Sequence, residues 1–361
     1  MSARNVPSAP GRADPAVEGK LADITGPGIT DRWGVTCTDL GASVLAPNGT
    51  LVSVFGDTFS GNKVGHGDWR SPVILIGTGD ATRPIRYQRA GGADPEYARQ
   101  LWRYRHSSGR MRRGISTVIP SDLLRVGGVL YLHAIVNRGF GNVVWTELWR
   151  SDDSGIAWRR FGDKFPSDLH DGHAQCWSWD YDPDDGWVYV TSTGFQRDKG
   201  VILRRVRPAH LGDPDRYLAW GRRDGRWSWR REPTPITPEG ETWGELSLRR
   251  LAPGKWILGG FLSSKYALGY RVLDSPAAVR DGPLQLPVVG SAWDAEDHAQ
   301  SRVAQLYGGY VLPGSRLDRA GGVGLVVSQW NTARGWPYRA MQFRATLRDT
   351  TGSVSYSSTT S

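Results

Sequence analysis

Cysteine, methionine, lysine and long apolar runs are all scarce in this chain of 361 residues. Its two cysteines, Cys37 and Cys176, exclude a disulfide-rich scaffold and a zinc site built from several thiolates. Both fall near the start of predicted strands, which permits one bridge; two buried free thiols are the plainer expectation. No stretch approaches the roughly 18 apolar residues of a membrane-spanning helix, so no membrane span is expected. Met1 to Asp14 are polar and proline-rich and lack the apolar core of a signal peptide. The chain is therefore expected to be cytosolic at synthesis, to come without a removed leader, or to leave the cell by another route such as a phage particle. Chemical signatures are missing too. There is no G-x-S-x-G elbow, no H-E-x-x-H pair and no P-loop. The seven histidines show no metal-ligand spacing, so neither a metal nor another cofactor is expected.

Only six of the 45 basic residues are lysine, and the net charge is +9. A high-GC coding bias is the plain reading of so much arginine. Attraction to an anionic polymer or surface is the sharper one. The arginines are scattered and no nucleic-acid motif accompanies them, so no nucleic-acid partner is expected.

What the chain does have is 17 Trp, 46 Gly and 22 Pro, a composition that does not read as helical. Its candidate strands are short and bounded by turn residues. Five turns share one form, a glycine turn followed by a strongly apolar strand. They are Asn48-Gly49, Gly127-Gly128, Asp185-Gly186, Pro253-Gly254 and Gly321-Gly322, and their second residues are spaced by 79, 58, 68 and 68. A sandwich predicts evenly spaced strands without so long a repeat. Radial repetition of a unit that cannot bury its own faces makes a β-propeller. The expected fold is all-β, a five-bladed β-propeller over residues 17–348. A disordered arm is expected at 1–16 and a Ser/Thr-rich disordered tail at 349–361. The segment Lys20 to Gly28 is expected to close the ring against the last blade. Ser151 to Trp158 fits S-x-D-x-G-x-x-W, an Asp-box turn, which is read as architecture and not as catalysis.

Chemistry gathers around the first of those turns. Asp39 lies nine residues before Asn48 and Asp57 nine residues after it. Asn-Gly is the strongest short-range hairpin signal. Directly opposed residues on paired strands have Cβ atoms about 4.5–5.5 Å apart. A three-residue loop would oppose the two carboxylates directly, and a slip of one residue would turn one of them to the other face. Two close carboxyls, one acid and the other base or nucleophile, are what glycosidic cleavage requires. In a propeller the innermost strands begin at one rim. Asp39, His173, Gln175, Glu245 and Arg302 are expected to converge there, and Asp57 returns to it. Thr38, Thr58 and Trp243 complete the candidate substrate contacts, with Trp33, Trp69 and Trp177 as further stacking surfaces.

Several of these residues lie in a recognisable pattern. T-D-L-G at 38–41, F-G-D-T at 55–58, G-W-V-Y-V-T-S-T-G at 186–194 and W-G-E-L-S at 243–247 occur in that order. L-Y-G-G-Y-V-L-P at 306–313 and V-S-Q-W-N at 327–331 follow. From about Leu21 to Leu347 the chain resembles the domain-of-unknown-function 4185 family, placed in glycoside hydrolase family 183. The resemblance implies a five-bladed propeller of actinobacterial or phage origin. It implies endo-acting cleavage of α-linked D-arabinofuranose chains, the D-arabinan of mycobacterial arabinogalactan and lipoarabinomannan. It places catalytic duty on Asp39 and Asp57, with Glu245 as a pocket residue or third acid. A cell-wall polysaccharide is then the expected partner, met outside the cell or from a virion. The alternative is a carbohydrate-binding propeller without turnover, such as a phage tail adhesin. A sialidase-like hydrolase needs an arginine cluster and a tyrosine nucleophile that no spacing here specifies. The sequence leaves open which Asp is the acid and whether configuration is retained.

Overall fold

Glycine turns between apolar strands build antiparallel hairpins, and this computed structural model arranges five of them in a ring. It describes residues 17–107, 114–139, 141–280, 282–318, 322–330 and 338–349. The expected arm at 1–16 and all of the expected tail except Asp349 lie outside the described residues, as do Gly321 and Asn331 of the motifs above.

Blade one is Leu40–Leu45, Leu51–Phe55, Val73–Thr78 and Arg86–Ala90, from the inside outwards. Blade two is Thr117–Val126, Val129–Asn137, Val143–Ser151 and Arg159–Pro166. Blade three starts with Cys176–Asp182 and Trp187–Thr193 and ends on a fifth strand, Arg226–Trp229. Blade four starts with Trp243–Ala252 and Lys255–Leu262; its fifth strand, Arg302–Ala304, runs parallel to Gln285–Ser291. Blade five is Leu306–Val311, Val323–Trp330 and Tyr338–Ala345. Its outer strand comes from the start of the described chain: Val17–Asp23 pairs antiparallel with Tyr338–Ala345. The closing strand thus begins three residues ahead of the expected Lys20. Each innermost strand touches the next, and the fifth touches the first, which closes the ring.

Four of the five glycine turns join the first and second strands of a blade as tight hairpins. Gly49 sits at φ +82°, and Gly127, Gly186, Gly254 and Gly322 are also left-handed. A Cβ is strained there, which is why the repeat is legible as glycine. Tryptophan fills the space between blades. Trp33, Trp177, Trp179, Trp243 and Trp256 are among the largest fully buried side chains.

The Asp-box turn joins the third and fourth strands of blade two. Asp153 Oδ1 accepts from the backbone N–H of Ile156 at 3.1 Å and of Ala157 at 2.9 Å. Trp158 Nε1 donates back to the Gly155 carbonyl at 3.0 Å. Cys37 and Cys176 are buried free thiols, and burial pushes them up to about 11 and about 12. Among the described residues, no helix is long and apolar enough to cross a membrane.

Candidate active site

The first hairpin sets the geometry. The Ala46 N–H donates to the Thr50 carbonyl at 2.9 Å, which leaves a three-residue loop, Pro47, Asn48 and Gly49. The pairing slips between Ala42↔Val54 and Leu40↔Phe55, where Leu40 takes φ +66° and Gly41 +119°. The strands meet again at a bridge, Cys37↔Phe59. Thr38 and Asp39 therefore face three residues, Gly56, Asp57 and Thr58. The Gly56 N–H donates to the Asp39 carbonyl at 3.2 Å. A Cβ on Gly56 would lie 2.3 Å from Asp39 Oδ1. Only glycine lets the Asp39 carboxyl lie over the neighbouring strand, which accounts for the glycine of F-G-D-T.

Asp39 is 6% exposed. The Tyr338 hydroxyl, from blade five, donates to its Oδ2 at 2.7 Å. Its Oδ1 is buried without a hydrogen-bond partner among the described residues, and the nearby Tyr307 hydroxyl, like that of Tyr338, favours the ionised carboxyl. No arginine or lysine pairs with it among the described residues. Burial first, then the charge of Asp57, push this carboxyl up to about 8. Asp39 is accordingly a protonated acid at neutral pH.

Asp57 is partly buried. Its Oδ1 accepts from Trp69 Nε1 at 2.8 Å and from the Thr117 hydroxyl at 2.6 Å. Burial raises its pKa and outweighs these donors and the nearby His106, which limit the rise by favouring the anion. Trp69 is aimed at Asp57 by a two-strand ribbon in which Thr58–Phe59 pairs with Trp69–Arg70. Thr117 opens the innermost strand of blade two. Two carboxyls on facing segments thus have different surroundings. One is sealed under tyrosine, and the other is held by donors suited to an anion.

Glu245 is the third carboxylate, and its charge also bears on Asp39. Arg197 clamps it with Nε at 3.1 Å and Nη2 at 2.5 Å. That pairing fixes the Glu245 carboxyl in place and ties blade four to the loop that carries Arg197. Arg197 itself takes a left-handed φ of +61°.

The other expected contacts divide clearly. Thr38 and Thr58 are fully buried and join hydroxyl to hydroxyl at 2.6 Å, bolting the two strands together beneath the carboxylates. Trp243, Trp33 and Trp177 are at most 2% exposed and belong to the packing between blades. They present no face for a sugar, a correction to the stacking role expected of them. Trp69 alone of the four stays partly exposed. Gln175 staples two loops, donating to the Ser167 carbonyl at 2.8 Å and accepting from the Phe195 N–H at 3.1 Å. His173 Nδ1 lies 2.9 Å from the His170 carbonyl. Arg302 is not at the rim. The fifth innermost strand begins at Leu306, and Arg302 lies on the outer strand of blade four, paired with Asp297 at 3.2 Å. The short helix His298–Gln300 and this added strand displace the start of blade five.

Tyr338, Tyr307, Thr117, His106 and Arg197 were not singled out from the sequence. Thr117 carried a usable signal, since it follows Ser116 at a rim-equivalent strand start. Tyr338 carried none, being 299 residues from its partner Asp39. Among the described residues, no three His, Cys, Asp or Glu side chains are grouped so as to hold a metal ion.

Comparison with known proteins agrees with this frame. A family model described as a domain of unknown function, DUF4185, matches residues 25–344. An uncharacterized 35.9 kDa protein of Mycolicibacterium smegmatis is 29% identical over 333 residues, covering 87% of this chain and 93% of the relative. A notoamide biosynthesis cluster protein of Aspergillus versicolor is 29% identical over 325 residues, covering 83% of each. Among solved structures, one from Bacteroides ovatus superposes with a TM-score of 0.58 at 14% identity, covering 88% of this chain and 87% of that one. A GH43_1 enzyme from Xanthomonas citri gives a TM-score of 0.50 at 13% identity, covering 90% and 91%. At such identities these structures speak for the propeller fold alone.

Proposed function

The chain belongs to the DUF4185 family, and from that premise we propose that it is a glycoside hydrolase acting within α-linked D-arabinofuranosyl chains. The observation that carries the proposal is the asymmetric carboxyl pair. Asp39 is buried without a cation among the described residues and held protonated up to about 8, across from Asp57 with its two hydrogen-bond donors. Pairs of carboxyls whose surroundings push their pKa values apart are the working parts of glycosidases.

In this reading Asp39 protonates the leaving glycosidic oxygen. Asp57, kept as the anion by Trp69 and Thr117, attacks the anomeric carbon or activates water. Glu245, clamped by Arg197, fixes negative charge beside Asp39 and helps keep it protonated. The polymer runs across this rim of the channel. The substrate class follows from the resemblance carried by T-D-L-G, F-G-D-T and W-G-E-L-S, and the likeness to a GH43_1 propeller is compatible with it. The site of action is the cell wall, reached from outside the cell or from a virion.

The test is to incubate the pure protein and its Asp57→Asn variant with mycobacterial arabinogalactan and chromatograph the soluble products. A ladder of arabino-oligosaccharides from the wild type alone supports the reading. Retention of the polymer by both, with no release, would make the protein a binding propeller instead.

A further inference from the structure

We infer that His106 is a positioning residue held as the imidazolium, and that its charge keeps Asp57 ionised while Asp39 stays protonated. The inference rests on the two-carboxylate reading above and deepens it.

The evidence is the set of acceptors around the ring. His106 Nδ1 lies 2.9 Å from the Ser116 carbonyl oxygen, and Nε2 lies 2.9 Å from Gln100 Oε1. A backbone carbonyl can only accept. The Gln100 amide is oriented by its other contacts. Its Nε2 donates to the Trp102 carbonyl at 2.9 Å and the Tyr104 carbonyl at 3.1 Å, and its Oε1 accepts from the Ser71 N–H at 3.3 Å. Turning the amide over would set oxygen against two carbonyls. So both ring nitrogens face acceptors, and only the imidazolium donates from both. Either neutral tautomer leaves a lone pair against an oxygen.

The ring also lies where a cation is welcome. It stacks on Trp69, with centroids 3.9 Å apart and planes at 17°. A cation over an indole face is attracted to it. The same indole donates to Asp57. Among the described residues, the titratable groups facing the ring from the neighbouring elements are Asp57, whose charge favours the imidazolium, and Tyr104, edge-on at 4.8 Å. Arg103 and Arg105, its neighbours along the chain, are exposed. Burial works against the charge and draws the ring's pKa below that of a free imidazole, while the Ser116 carbonyl and Asp57 pull the other way. Against burial stand two carbonyl oxygens, an indole face and a carboxylate; if the proton leaves, one of the two hydrogen bonds goes, and with it the attraction of the charge to the indole face and to Asp57. Coupling between two groups is mutual, so the cation that Asp57 favours in turn favours the Asp57 anion. Among the described residues Asp39 has no such neighbour, and the pair is split accordingly.

The test reads the ring itself. In the full-length protein labelled with 15N at histidine, long-range proton–nitrogen spectra are recorded from pH 5 to 9, and His106 is assigned by its loss in His106→Gln. The expected result is two protonated ring nitrogens at pH 7. A ring with one bare nitrogen at pH 7 overturns the inference. This readout needs no substrate, so it is decided separately from arabinan cleavage. In the cleavage assay, His106→Gln should move the acidic limb of the pH profile up by about one unit or more. An acidic limb that stays in place overturns the coupling to Asp57.

Discussion

Acids on the innermost strands fall into two kinds, those that an arginine holds, Glu245 at the near rim among them, and those that no arginine of the described residues holds. Midway along the channel, Asp122 is fully buried and held in two-point contact by Arg249, at 2.6 and 2.7 Å. The Ser178 hydroxyl donates to it at 2.5 Å, so blades two, three and four meet on one carboxylate. Towards the far mouth, Arg250 pairs with half-buried Asp182 at 3.1 Å and reaches the exposed turn residue Asp184 at 2.5 Å, beside a cavity of about 470 Å³. At the near rim, Asp39 has a tyrosine hydroxyl and, among the described residues, an unpartnered oxygen and no cation. Burial costs a charged group several kcal/mol unless it is paired. The paired acids tie blades together. The unpaired one takes a proton, and a proton it can give away is what makes it chemically useful. The contrast also separates the cavity from the chemistry, since this pocket lies at the other end of the channel from the carboxyl pair.

Substitutions can break that contrast. The largest effect is expected from Asp39→Asn, which should lower the rate of arabinan cleavage by about 10²–10⁴, the usual range for a general acid. The same change should stabilise the protein above neutral pH. The sign follows from linkage. With a folded pKa of about 8, against an ordinary carboxyl in the unfolded chain, the folded state binds more protons between those values. Stability therefore falls as pH rises through that window. Asn cannot ionise and escapes the loss, so its melting temperature at pH 8.5 should exceed that of the wild type. Equal melting temperatures would mean that Asp39 is not buried as an acid. Arg249→Met should do the reverse. It leaves Asp122 buried and unpaired, a cost of about 3–5 kcal/mol, read as a lower urea midpoint. Asp39 and Asp57 should be untouched, so cleavage by the fraction still folded should stay near normal. A middling effect is expected from Gly56→Ala, whose new methyl meets Asp39 Oδ1 at 2.3 Å. Displacing a reacting group by about an ångström can cost on the order of 10² in rate. The check is kcat falling with little change in stability.

Much of this was legible because it is periodic or local. The glycine turns exposed the blade count, since each needs a left-handed residue at the same point of the repeat. The Asn48 turn placed Asp39 opposite Asp57 by counting alone. The bulge at Leu40 and Gly41 was not countable, and neither was the cramped approach of Gly56 to the carboxyl. Arg302 misled because a short helix and an extra strand precede blade five, and no repeat marks an insertion. Trp243 misled because tryptophan serves equally as a sugar platform and as filler between blades. Tyr338 and His106 were out of reach, because ring closure and a loop bring them to the site from elsewhere in the sequence.

The smallest effect should come from the tyrosine that seals Asp39. The Tyr338 hydroxyl donates to Oδ2 and so favours the ionised carboxyl, against burial and the charge of Asp57. Removing that donor in Tyr338→Phe should push the Asp39 pKa higher still. The alkaline limb of the cleavage profile reports the loss of the acid's proton, and it should move upward. A hydrogen bond to a charged group is worth about 1.5–3 kcal/mol, so a shift of about one pH unit is the scale to look for, with water offsetting part of it. The acidic limb belongs to Asp57 and should stay where it is. Movement of both limbs would mean that the two carboxyls titrate as one coupled pair. A downward shift of the alkaline limb would mean that Tyr338 stabilises the protonated form, with the hydroxyl accepting from the acid rather than donating to it.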